Sequence, residues 1–117
     1  MKKVDLVVVG AGPAGIGVAV EAKIAGKEVV VLEKSEICQT LLTFYKDGKR
    51  VDKEYKGHES RNLGHIPFED GTKESTLTTF KEALEQHKIA VECGSEVESV
   101  KKENGEFIVA TAKESYA

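Results

Sequence analysis

Six residues near the amino terminus, Gly10-Ala11-Gly12-Pro13-Ala14-Gly15, form a G-x-G-x-x-G turn between an apolar run and a helical pattern. Val4 and Leu6 to Val9 make the β-branched run, ended by Gly10, that marks a parallel strand buried on both faces. Pro13 occupies a first helical turn, where its missing N–H costs nothing. Ile16, Val20 and Ile24, with Ala19 and Ala22, then recur at helical spacing until Gly26 supplies a stop. Val29 to Leu32 form a second apolar strand with Glu33 at its carboxyl end. Strand, glycine turn, helix and strand within about 30 residues predict a βαβ unit with a right-handed crossover, and therefore a parallel sheet.

Each glycine has a distinct task in such a turn. Gly10 permits the tight bend, Gly12 lets the backbone approach a pyrophosphate with no Cβ in the way, and Gly15 lets helix and strand pack closely. The helix start, Pro13 and Ala14 included, offers free N–H groups and about half a positive charge to a diphosphate. Glu33 lies 18 residues beyond Gly15, where its carboxylate can accept hydrogen bonds from a ribose 2′-OH. A 2′-phosphate would face that carboxylate, which favours FAD or NAD over NADP here; the neighbouring Lys34 tempers the exclusion and joins the cofactor-facing set.

Beyond Glu33 the periodicity is lost for the 38 residues from Lys34 to Gly71, a length at which a loop in a small domain is functional or disordered. Its middle could hide a short hairpin at Asp47-Gly48, and the alternating charges of Lys46 to Lys56 read as a solvated surface. Thr72 or Ser75 can cap a second long helix, with Leu77, Phe80, Ala83 and Leu84 on one face and closure near Lys88. His87 in its last turn suits the helix dipole. Ile89 to Glu92 reads as a third strand. Residues 94–112 then read as an inserted antiparallel hairpin, with Glu96 to Lys102 and Glu106 to Thr111 flanking Asn104-Gly105. Ala112 to Ala117 reads as a polar tail. No further apolar run returns the chain to the parallel sheet, so residues 1–117 are expected to be the N-terminal part of a longer, truncated FAD/NAD(P)-binding domain.

Charge and composition exclude several classes. Seventeen Lys and Arg against twenty Asp and Glu leave a net charge of −3, with no cationic excess for a nucleic-acid backbone or an anionic membrane. Lys2 and Lys3 before an apolar stretch superficially resemble a secretory signal, but Asp5, Pro13 and the four glycines Gly10, Gly12, Gly15 and Gly17 interrupt it. No stretch is long enough to span a membrane. Cys38 and Cys93 form neither a C-x-x-C pair nor a disulfide framework, which fits a reducing cytoplasm. Cys38 reads as an ordinary free cysteine and Cys93, at the end of an apolar strand, as a packing residue. His58 and His65 have no partners at ligand spacing, so no metal site is expected; His65, beside Pro67 and Phe68, is the histidine to inspect near a flavin. No residue qualifies as catalytic.

Val4 to Glu33 resembles the N-terminal fingerprint of two-dinucleotide flavoproteins, whose first site binds FAD. Asn62-Leu63-Gly64-His65-Ile66-Pro67-Phe68, the helix to Lys88 and Val91 to Val97 are similar to the thioredoxin-reductase-like branch of the pyridine nucleotide-disulfide oxidoreductases, in particular the bacillithiol-disulfide-reductase type. The resemblance implies an α/β, Rossmann-type three-layer fold. It implies that Glu33 holds the adenosine ribose, that Val97 pairs its backbone with the adenine edge, and that Gln39 and Thr40 lie near the flavin, although the Gly-Gly-Gln pattern of thioredoxin reductases is missing there. Cys38 stands alone where the glutathione-reductase branch carries a C-x₄-C pair, which disfavours that branch. In the complete protein NADH or NADPH would reduce FAD, and electrons would pass to a disulfide or similar acceptor. The isolated chain is expected to bind FAD weakly or not at all, and to self-associate through a first strand left at the sheet edge. A flavin monooxygenase fragment and a non-catalytic dinucleotide-binding module are the alternative readings.

Overall fold

The computed structural model describes residues 1–51, 64–67 and 71–117. The fold is α/β and its centre is a parallel sheet of β1 (Leu6–Val9), β2 (Val29–Glu33) and β5 (Ala90–Cys93), in the order β1-β2-β5. β2 is buried at all five positions, as its uninterrupted Val-Val-Val-Leu requires. Val29 and Val31 pack with Val8, Ala11 and Ala19, while Val30 and Leu32 pack on the opposite face with Val109 and Tyr116. Each such side chain contributes about 1.5–3 kcal/mol on burial.

Three layers result. On one face lie α1 (Pro13–Ile24), α2 (Gln39–Phe44) and α3 (Lys73–Gln86), joined through Ile16, Val20, Leu41, Phe80 and Leu84. The opposite face is covered by an antiparallel sheet, β6 (Val97–Glu103), β7 (Glu106–Thr111) and β8 (Ser115–Tyr116). Asn104 and Gly105, both at positive φ, form the turn between β6 and β7, as their sequence demands. α3 is closed by a capping box: Thr72 accepts from the Ser75 N–H, and Ser75 accepts from the Thr72 N–H. Both candidate caps therefore act together, and His87 is the C-cap residue.

Several expectations are revised. Ala112 to Ala117 is not a free polar tail: β8 pairs with β7, Tyr116 is buried, and Ser115 to Ala117 hydrogen-bond to Lys2 and Val4. The 94–112 hairpin is thus two strands of a three-stranded sheet. The signal was one aromatic residue whose burial depends on Val30 and Leu32, more than eighty positions away, which local periodicity cannot register. Residues 34–71 contain α2 and also β3 (Arg50–Val51), which pairs with β4 (Gly71–Thr72). Asp47-Gly48 is therefore no hairpin tip but a turn leading into β3. The turn is pinned by α3, since Lys73 Nζ donates to the Tyr45 carbonyl at 3.0 Å and to Asp47 at 3.1 Å. Cys93 is exposed rather than packed. His58, Asn62, Leu63 and Phe68 lie outside the described residues.

His65 is committed elsewhere than the glycine turn. Its Nδ1 lies 2.9 Å from the Glu21 carboxylate on α1, and its backbone N–H donates to the same group at 2.7 Å. These two contacts hold the Glu21 carboxyl below its usual range. Among the described residues no group of histidines, cysteines and carboxylates is arranged to hold a metal, and no helix is long and apolar enough to cross a membrane.

Candidate functional site

The carboxyl ends of β1, β2 and β5 form one rim, the place where open parallel sheets bind ligands. Gly10 leaves β1 at φ +102°, a conformation that L side chains avoid, and its N–H donates to Leu32 O at 2.8 Å. Gly12 is the N-cap of α1 and makes no side-chain cap, so the first N–H groups of the helix have no side-chain acceptor there. Nothing lies within 4 Å of a Cβ built on Gly12, leaving open space beside the backbone. Gly15 does the opposite: its Cα faces the Gly10 carbonyl and the Val8 side chain, so helix and strand touch there.

Glu33 ends β2 with 8% of its surface exposed. Its Oε1 accepts from the Ala11 N–H at 2.9 Å and its Oε2 from the Ser35 N–H at 2.7 Å. Two clefts meet at this residue. One, of about 310 Å³, is lined by Val9, Gly10, Glu33, Lys34, Ser95, Glu96 and Val97. The other, of about 550 Å³, is lined by Gly12, Pro13, Glu33, Lys34, Gln39, Thr40, Phe44 and Tyr45 among others. Gln39 lines this cleft, and among the described residues its buried Oε1 has no hydrogen-bond partner.

The geometry thus gathers Gly10, Gly12, Pro13, Glu33, Lys34, Gln39, Thr40 and Val97 around two clefts that share Glu33 and Lys34. Ala14 is exposed at the helix start and lines neither cleft, and Gly15 faces β1. Ser95, Glu96, Phe44 and Tyr45 were not anticipated. Ser95 and Glu96 follow the third parallel strand, so the rule that ligands sit at carboxyl ends of such strands would have found them. Phe44 and Tyr45 carried no local signal, because α2 lies in a stretch without periodicity.

The family described as pyridine nucleotide-disulphide oxidoreductase matches residues 7–117. This chain belongs to that family. No curated protein matches it in sequence. Among solved structures, the pyridine nucleotide-disulphide oxidoreductase chain is similar to the bacillithiol disulfide reductase Bdr (YpdA) from Staphylococcus aureus, at 24% identity and TM-score 0.78 over 99% of this chain and 36% of that one. It is also similar to the ferredoxin-flavin thioredoxin reductase from Clostridium acetobutylicum, at 22% identity and TM-score 0.74 over 99% of this chain and 35% of that one. A third similar structure is the thioredoxin reductase of T. acidophilum, at 26% identity and TM-score 0.73 over 99% and 33%. The chain therefore spans about a third of the length of these structures. The Rossmann-like parallel sheet with its helices agrees with theirs.

The two cysteines differ chemically. Cys38 is 1% exposed, and burial pushes its thiol up to about 11. Cys93 is exposed, and its thiol is raised by partial burial and by Glu36 and Glu33. A raised thiol pKa means less thiolate at a given pH and slower attack. An aromatic disulfide reagent is expected to titrate one thiol per folded chain, Cys93, faster as pH rises, and the second only on denaturation. Two thiols reacting together in the folded state would contradict this.

Proposed function

We propose that this chain forms the adenosine-diphosphate end of an FAD site in a flavoprotein disulfide reductase. The observation that carries the reading is Glu33, which stands at the end of β2 between two clefts that share the glycine turn. The smaller cleft takes the adenosine, with Glu33 accepting from the ribose and Val97 offering its backbone to the adenine edge. The free N–H groups after Gly12 take the diphosphate, and Gln39 and Thr40 lie toward the flavin. The open space at Gly12 fits such a ligand. When bound, FAD supplies the ring that accepts hydride from NADH or NADPH and passes electrons to a disulfide or similar acceptor. The residues of this chain supply binding and orientation.

Glu33→Ala is expected to weaken binding of ADP to the chain by about 1.5–3 kcal/mol, the range for a charged hydrogen-bonding group. Calorimetry that finds unchanged affinity removes the ribose assignment. FAD itself is expected to bind this 117-residue chain weakly. Phe44 is 78% exposed, so the flavin side of the larger cleft is open, and the nucleotide contacts alone must offset an association cost of at least ~4 kcal/mol. The purified chain should be colourless. A yellow preparation with submicromolar affinity would show that these residues suffice for an FAD site. The reading also includes self-association of the chain through the outer edge of β1.

A further inference from the structure

We infer that Glu33 is a positioning residue for the glycine turn, acting on the diphosphate site through the backbone in addition to the ribose contact proposed above. The inference rests on that nucleotide reading for its ligand, but its geometry does not. Both carboxylate oxygens are engaged by main-chain donors from two different loops, Ala11 N–H from the first and Ser35 N–H from the second. A third loop joins at the same residue, where the Ser95 N–H donates to the Glu33 carbonyl at 2.9 Å.

Ala11 is held from both sides. It is fully buried, its N–H is bound by Glu33, and its carbonyl accepts from the Cys38 N–H at 2.8 Å. Cys38 reaches this position with positive φ, 54°, which an L residue adopts only at a cost in energy. Gly10 is fixed by its bond to Leu32, and the Gly12 carbonyl accepts from Ile16 N–H at 3.0 Å. Residues 10 to 12 are thus anchored at four points by the chain itself. A carboxylate beside an anion site would by charge alone oppose phosphate. Here one lone pair on each oxygen is engaged by the backbone, the other stays available to a ribose hydroxyl, and the result is a turn whose remaining donors are already aimed before ligand arrives.

The two roles predict opposite signs for a ligand without ribose. If Glu33 only binds ribose, Glu33→Gln removes a negative charge and leaves inorganic pyrophosphate binding unchanged or tighter. If Glu33 positions the turn, the amide cannot accept from both N–H groups, and pyrophosphate affinity falls roughly tenfold, as for one lost charge-assisted hydrogen bond. Two ligand-free readouts accompany this. In the wild-type chain, the Ala11 and Ser35 amides should both be protected from hydrogen exchange. In Glu33→Gln, hydrogen exchange at Ala11 should quicken at least tenfold while the β5 amides keep their protection. Should Glu33→Gln fail to fold, the wild-type exchange decides. Pyrophosphate affinity unchanged or increased in a folded Glu33→Gln, unaltered Ala11 protection in that variant, or unprotected Ala11 and Ser35 amides in the wild type would each overturn the inference. Wild-type chain that binds neither ADP nor pyrophosphate would instead overturn the nucleotide reading, and the amide data would still decide whether Glu33 holds the turn.

Discussion

Gly15→Ala is expected to destabilise the chain by about 3 kcal/mol, at the upper end of the usual cost of forcing an extra methyl group into a packed contact. Alanine favours a helix interior over glycine by roughly 1 kcal/mol, so propensity alone would stabilise the variant. The contact decides the sign. A Cβ at Gly15 would overlap the Gly10 carbonyl oxygen, a backbone atom in the tight turn, and would press on Val8 as well. Gly17, two positions further along the same helix, has nothing within 4 Å of its Cβ position and is the internal control. Gly17→Ala should stabilise by roughly 0.8–1 kcal/mol. Thermal or urea denaturation of the two variants should therefore move in opposite directions. Similar shifts of the same sign would refute the close approach of α1 to β1.

The second large effect concerns assembly. In β1, Leu6 and Gly10 donate to Glu28 and Leu32, so by alternation the backbone groups of Val7 and Val9 point to the outer edge. Among the described residues, no strand pairs with that edge beyond the contacts of Lys2 and Val4 with Ser115 to Ala117. A groove of about 400 Å³ runs beside it, lined by Val7, Val9, Val100, Phe107 and Val109 among others. Val9 is 60% exposed and Phe107 61%. An unpaired apolar edge of this kind templates pairing with another chain. Wild-type chain should show a sedimentation coefficient that rises with concentration. Val9→Lys places a charge on the edge at an exposed position, which should leave folding intact and lower the association constant by roughly tenfold or more, at least about 1.4 kcal/mol. A wild-type monomer at high concentration would refute this.

Much of the βαβ unit is legible in the sequence, because each of its signals is local. The β-branched runs of β1 and β2, Pro13 at a helix start, the helical period to Ile24 and the Asn104-Gly105 turn act through neighbours a few positions away. Glu33 could be located by its spacing from Gly15, since strand and helix rise fix that distance. The parallel sheet followed from the right-handed crossover.

What only the tertiary structure decided depends on partners far apart in sequence. Tyr116 becomes a strand residue because β7 and Lys2 lie beside it, not because of its own neighbours. Lys73, a residue type rarely buried, is covered because the Tyr45 carbonyl and Asp47 satisfy its ammonium group. Cys93 is exposed although it ends an apolar strand, because β5 lies at the sheet edge. The sequence by itself determined that Glu33 stands at the rim of a glycine turn. That its carboxylate grips the backbone of that turn was decided by the fold, because a hydrogen bond across 22 residues exists only once β1 and β2 are paired.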